Sequence, residues 1–352
     1  MSNVSAYGLV NVHIRTAIGE LLSPENWTKL SRSNDFQTFL QNLSETVYSP
    51  NVNAIPIENQ NPRFFAYTIR KRIPEKFRVI EKAAPNTVKE LINKIFQFYD
   101  LSNLKMVLRG ISAGEPWDKL KYLLAPTGYY PTLPYNAMVN QGSIEAAIAL
   151  TKGSDYYQSL SNAAVRFSKE DSLFPIEVLL DLDYWKRVWD EVQNLTGDDK
   201  KDACEIIGQN LDKYNLIWAS RYHVFHHLQE AEIINYTMGF APNVKDKEIR
   251  QIADGVSISD VAERLYPDLK GKVDPALSEA DRLSRWEVEL DRYFAKCCQH
   301  FFIGNPFNLG PILAYIFLLE FEIRDLTLLS EAKTLNLPKE RYMPFLIHEI
   351  MA

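Results

Sequence analysis

Apolar residues recur along this chain at helical spacing. In "SPENWTKLSRSNDFQTFLQNL", Phe36, Phe39, Leu40 and Leu43 fall at i, i+3, i+4 and i+7, one face of a helix. Pro24 directly after Ser23 puts proline at an early helical position, where its missing N–H costs nothing. "NTVKELINKIFQFYDLSNLKMVLRG" predicts a long helix closed by Gly110, with Leu101, Leu104 and Leu108 along one side. "SEADRLSRWEVELDRYFAKCCQHFF" predicts another, lined by Leu283, Trp286 and Leu290. No set of alternating strands stands against these patterns, so the expected class is all-α. Loops are expected at 48–62, 125–142, 194–202 and 266–275, where Pro, Gly, Asn and Asp collect.

One stretch is not amphipathic. "GPILAYIFLLEFEIRD" runs from Gly310 to Asp325 and opens with nine uncharged residues, Pro311 to Leu319, before turning polar at Glu320, Glu322, Arg324 and Asp325. A spanning helix needs about 20 apolar residues, so no membrane span is predicted. A helix apolar all round is expected to lie buried among other helices. Glu320 and Arg324 are four apart in the favourable orientation for a helical ion pair.

Internal repetition is the most informative feature. Residues 100–109, "DLSNLKMVLR", and 212–221, "DKYNLIWASR", share D-x-x-N-L-x-x-x-x-R. Each is followed by a Gly-containing turn and an amphipathic helix. A degenerate third copy, "EIRDLTLLSE" at 322–331, carries Glu331 in place of the arginine, and "NDFQTFLQNLSETVY" near the N-terminus matches the second half of the unit. The copies predict three related helical units: residues 1–99 with 311–352, split between the termini, then 100–211, then 212–310. Asp and Asn early on a helix accept hydrogen bonds, and Arg at the far end reaches carboxylates. Asp100, Asn103, Arg109, Asp212, Asn215, Arg221, Glu320, Glu322 and Arg324 are therefore expected to orient helices against loops. A catalytic residue would have to differ sharply between copies, and none is expected.

Composition adds limits. The chain has 352 residues and a net charge of −6, which disfavours nucleic acid as a ligand. Residues 1–150 carry +4 and the remainder −10, and the basic excess gathers in "RFFAYTIRKRIPEKFRVIEK", 63–82. That segment is either a solvated helix face or a surface for anionic lipid or an acidic partner. Three cysteines, Cys204, Cys297 and Cys298, without a C-x-x-C pair, fit a reducing cytoplasm. The start lacks a basic and apolar leader, so no signal peptide is expected.

The competing chemistry lies in "RYHVFHHLQEAE". His223, His227 and Glu230 at helical spacing offer one face to a metal, though no H-E-x-x-H order is present. The alternative is a helical metal-binding enzyme on these residues, or a helical scaffold of an unrelated complex; the plainer reading of the histidines is surface or interface. No phosphate loop, dinucleotide fingerprint or nucleophile elbow occurs, so no cofactor is expected.

The segment "NPFNLGPILAYIFLLEFEIRDLTLLSEAKTLNLP" resembles the terminal motif of the C subunits of archaeal and bacterial A/V-type rotary ATPases, the AC39 family, to which the eukaryotic V-ATPase d subunits also belong. The matching features are Phe307, Gly310, Pro311, Ala314–Tyr315, Glu320, Glu322, Arg324 and the "LNLP" turn. "YGLVNVHIRTAIGELLSPENWTKL", "DLSNLKMVLRG", "FPIEVLLDLDYW" and "DKYNLIWASR" are similar too, in the family's order. Asp325 stands where the family usually has Asn, and Glu331 where a basic residue is common. The resemblance implies three helical domains about a pseudo-threefold axis, funnel-shaped. It implies a non-catalytic component of the central stalk that couples the shaft to the membrane rotor ring for H+ or Na+ transport. Its partners would be central-shaft subunits and ring proteolipids. It would be cytoplasmic, peripheral to the membrane through the ring.

Overall fold

The computed structural model describes residues 3–128, 130, 132–170 and 172–348. Among them no strand forms, and the class is all-α. Six long helices organise the chain: α1 (Asn3–Gly19), α2 (Asn86–Ser112), α3 (Phe174–Asn194), α4 (Gly197–His226), α5 (Glu279–His300) and α6 (Gly310–Thr334). The chain divides into two compact units, residues up to Phe39 with those from Val192 onward, and Leu40–Glu191.

In the first unit α4, α5 and α6 pack against one another, and α1 lies on α6. Every residue from Gly310 to Leu319 is buried, so the non-amphipathic stretch is a core helix. No helix among the described residues is long and apolar enough to cross a membrane. Ser23 caps the helix Pro24–Ser31 by accepting from Asn26 N–H, with Pro24 in the first turn, as its sequence predicts. Leu283, Trp286 and Leu290 are all buried on α5.

In the second unit α2 is the central helix. It packs against the helices Arg72–Ala83, Tyr135–Val139 and Ile144–Ala149, and Leu101, Leu104 and Leu108 are fully buried.

Several expected boundaries move. Gly110 does not close α2, which continues to Ser112. Gly110 instead makes room for the Leu120 side chain, which a Cβ there would strike. The helix is closed by Gly114, at φ +66°, with Glu115 N–H bonding Gly110 C=O at 2.8 Å. Of the loops, 48–62 holds the short helix Ser49–Asn53, 125–142 holds Tyr135–Val139, and 266–275 holds the 3-10 turn Pro267–Leu269. Residues 197–202 begin α4. Asp198 and Asp199 suit its first turn electrostatically, and the turn chemistry that suggested a loop is the start of a helix.

That first turn also holds α6 in place. Asp199 Oδ1 accepts Leu309 N–H at 2.9 Å, and the Asp202 carboxylate lies against Gly310. A Cβ on Gly310 would lie 2.5 Å from Phe301 Cδ1 and 2.6 Å from Asp202 Oδ2, so only glycine permits this approach.

Candidate functional site

The repeat residues converge on a set of helix-to-loop anchors. On α2, the Asn103 amide donates to Ala125 C=O at 2.9 Å and its oxygen accepts Ala125 N–H at 2.6 Å. On α4, Asn215 donates to Met238 C=O and Val244 C=O, both at 2.9 Å, and accepts Met238 N–H at 2.8 Å. On α6 the same position is Asp325, whose Oδ2 accepts the N–H groups of Ile347 and His348, each at 2.8 Å. His348 Nδ1 lies 2.8 Å from that oxygen, and the His348 ring stacks on Trp27 at 4.3 Å. The three residues reach 22, 23 and 22 positions down the chain. All three are buried, where leaving the backbone groups unpaired would cost about 1–3 kcal/mol each.

Three residues earlier stand Asp100, Asp212 and Glu322. Asp212 accepts Asn243 N–H at 2.9 Å, Val244 N–H at 2.8 Å and the Asn243 amide at 2.8 Å. Glu322 Oε2 accepts Leu22 N–H at 2.6 Å, across 300 positions of sequence. Asp100 accepts the Tyr135 hydroxyl. Val244 and Leu22 each lie two residues before a helix, Asp246–Ala253 and Pro24–Ser31, and Tyr135 is the first residue of the helix Tyr135–Val139. One acidic position thus holds the lead-in to the next helix in two copies and the first residue of that helix in the other, and for Glu322 the helix lies near the N-terminus. Burial raises the carboxyl pKa of both Asp100 and Asp212, against the hydrogen bonds that lower it.

The arginines pair with the next long helix. Arg109 grips Glu177 of α3 with two contacts of 2.6 Å, 68 positions on; Arg221 meets Glu287 of α5 at 2.6 Å, 66 positions on. One turn beyond each glutamate, Asp181 pairs with Lys105 at 2.6 Å and Asp291 with Lys213 at 2.7 Å. Asp291 also takes Arg324, at 3.2 Å. Arg324 and Glu331 are exposed on α6 and Glu320 is half-buried.

The repeat does not point to these acids, although a signal for them exists. "EVLLD" at 177–181 and "EVELD" at 287–291 are a second repeated motif, complementary to the first.

The helix ends recur too. Gly114, His227 and Asn336 take left-handed backbone, at φ +66°, +50° and +49°, and follow α2, α4 and α6. This overturns the metal reading. α4 stops at His226, and His227 in left-handed conformation breaks the helical face that would align it with His223 and Glu230. Glu230 starts a separate helix, Glu230–Asn235, and is ion-paired to Arg250. Among the described residues no group of three or more His, Cys, Asp or Glu is placed to hold a metal. Chemically, the repeat side chains fasten backbone to backbone.

The ATP synthase (C/AC39) subunit family matches residues 10–344. The chain is 19% identical to the A-type ATP synthase C subunit of Methanocaldococcus jannaschii, over 98% of this chain and 87% of that protein. It is 20% identical to the corresponding C subunit of Methanosphaera stadtmanae, over 93% and 84%, and 20% identical to that of Haloferax volcanii, over 93% and 93%. With the anchors recurring in order along nearly the whole matched length, the chain belongs to the ATP synthase (C/AC39) subunit family.

Proposed function

We propose that the protein is the non-catalytic central-stalk subunit of a rotary A/V-type ATPase, coupling the rotating shaft to the membrane rotor ring during H+ or Na+ transport. The observation that carries this reading is the family match over residues 10–344, in a chain whose repeated polar residues are engaged in holding helices to loops. A coupler transmits torque only if it resists deformation. Close-packed helices with buried polar ties supply that resistance.

Three related units belong to the same proposal: residues 100–211, 212–310, and 1–99 with 311–352. Their support is the recurrence of the Asn103, Asn215 and Asp325 ties at 22, 23 and 22 positions, and the bond from Glu322 back to Leu22. The partners are central-shaft subunits and the ring proteolipids, with the protein peripheral on the cytoplasmic face through the ring. The absence of a membrane-crossing helix among the described residues is consistent with that placement. Co-expression with the shaft and ring subunits of the same ATPase, followed by affinity capture, tests it. The expected result is retention of both partners, and capture of neither overturns the reading.

A further inference from the structure

Two sequence features are not absorbed by the anchors: the basic segment 63–82 and the aromatic loop 125–142. In the unit Leu40–Glu191 both contribute to one cavity of about 610 Å³, a size that holds a ligand or a short stretch of peptide. Two of its polar groups are committed elsewhere, the Asn103 amide to Ala125 and the Tyr135 hydroxyl to Asp100. Its charged groups are Lys71, Lys121 and one carboxylate, the exposed Glu75. Lys71 sits exposed at the joint between the helices Pro62–Arg70 and Arg72–Ala83, with Nζ 5.0 Å above the Tyr67 ring, and makes no ion pair among the described residues. Lys121 lies 5.2 Å from the centre of the Tyr122 ring, and its carboxylate partner Asp118 is 84% exposed, so that pair is weak. The Tyr67 and Tyr122 rings meet edge-on at 5.5 Å, and Trp117 beside them is half-exposed.

One side of the cavity is a close contact of loop and helix. Gly128, at φ +61°, lets the loop close onto Pro74, where a Cβ would come within 2.9 Å of Pro74 Cβ. Aromatic faces flanked by flexible ammonium groups combine apolar contact with non-directional attraction for negative charge. We propose that this cavity receives an acidic peptide segment of a protein partner, its carboxylates at Lys71 and Lys121 and an aromatic or branched side chain against Tyr67, Trp117 and Tyr122. A flat bilayer surface does not enter a concave site. Among the described residues no arginine lines it to grip a phosphate bidentately. The proposal goes beyond the rotary-ATPase reading and stands or falls separately from it.

The test is fluorescence anisotropy of a fluorescein-labelled twelve-residue peptide alternating Glu with Phe and Leu, titrated with the full chain. Binding is expected to fall at least tenfold in the Lys71→Glu, Lys121→Glu double variant and in Tyr122→Ala, and to weaken in 0.5 M salt. The same peptide with Lys in place of Glu is expected not to bind. These side chains are at the surface, and matching thermal melts establish that the variants fold. The proposal is overturned if the peptide fails to bind, or binds the double variant equally well. It is also overturned if phosphatidylserine vesicles bind in a Lys71- and Lys121-dependent way and the peptide does not. Loss of partner capture with peptide binding intact counts against the rotary reading alone.

Discussion

Asn215 on α4 and Asp325 on α6 occupy the same repeat position and perform the same backbone task with different chemistry. The amide of Asn215 donates to two carbonyls and accepts one N–H. The carboxylate of Asp325 only accepts, and its loop presents N–H groups from Ile347 and His348, with the His348 ring beside them. The spacing is preserved while the donor and acceptor pattern of the loop is inverted. A repeat position therefore specifies where the chain is tied, and the local loop specifies which side chain can tie it.

The largest expected effect tests this inversion. Asn215→Asp turns an accept-only group onto Met238 C=O and Val244 C=O in a fully buried site. It is expected to cost about 3–4 kcal/mol, since it orphans two carbonyls and buries an uncompensated charge. The reverse exchange, Asp325→Asn, keeps an acceptor oxygen for Ile347 N–H and His348 N–H and is expected to cost only about 1 kcal/mol, the difference between charged and neutral hydrogen bonds. Urea unfolding of both variants measures the asymmetry, and equal losses would break the comparison.

A further buried carboxylate, Asp202 of α4 beside the start of α6, sharpens it through pH. Burial, with Glu205 and Asp198 close by, pushes the Asp202 carboxyl up to about 6 from 3.8. The folded chain therefore holds this proton more tightly than the unfolded chain. The stabilisation from that proton is fully present below about pH 4 and lost as pH rises through about 6. Asp202→Asn keeps the shape of the side chain without the charge. It is expected to be more stable than the parent by about 1 kcal/mol at pH 8 and to lose that advantage near pH 4.5. Melting temperatures across that range decide it; a constant difference contradicts the assignment.

The smallest effects belong to the arginines. Arg109 holds Glu177 with two contacts and Glu177 is largely covered, whereas Arg221 holds a more exposed Glu287 with one. Arg109→Ala is expected to cost about 1 kcal/mol and Arg221→Ala about 0.5 kcal/mol or less, as for exposed pairs. Thermal melts of the two variants and their double establish the order; a larger loss in Arg221→Ala contradicts the pairing geometry.

Much of this is legible in the chain itself. The face Phe36, Phe39, Leu40 and Leu43 is buried, and the apolar stretch from Pro311 is a core helix because its side chains are apolar in every direction. The repeat locates Asn103 and Asn215, since their neighbours recur with them. His223, His227 and Glu230 mislead because equal spacing implies one face only while the helix lasts, and a left-handed residue at His227 ends it. "NLTGDDKKD" misleads because its turn-forming residues serve equally well as a helix start, from which Asp199 holds the start of a second helix.

The sequence by itself determined the helical class, the buried faces and the recurrence of the polar positions, because each depends on local spacing along the chain. Only the tertiary structure decided which backbone groups Asn103, Asn215 and Asp325 tie down, that Glu322 reaches Leu22, and that Lys71 and Tyr122 share one cavity. Hydrogen bonds and cavities join residues distant in sequence, and their partners are set by how the helices pack.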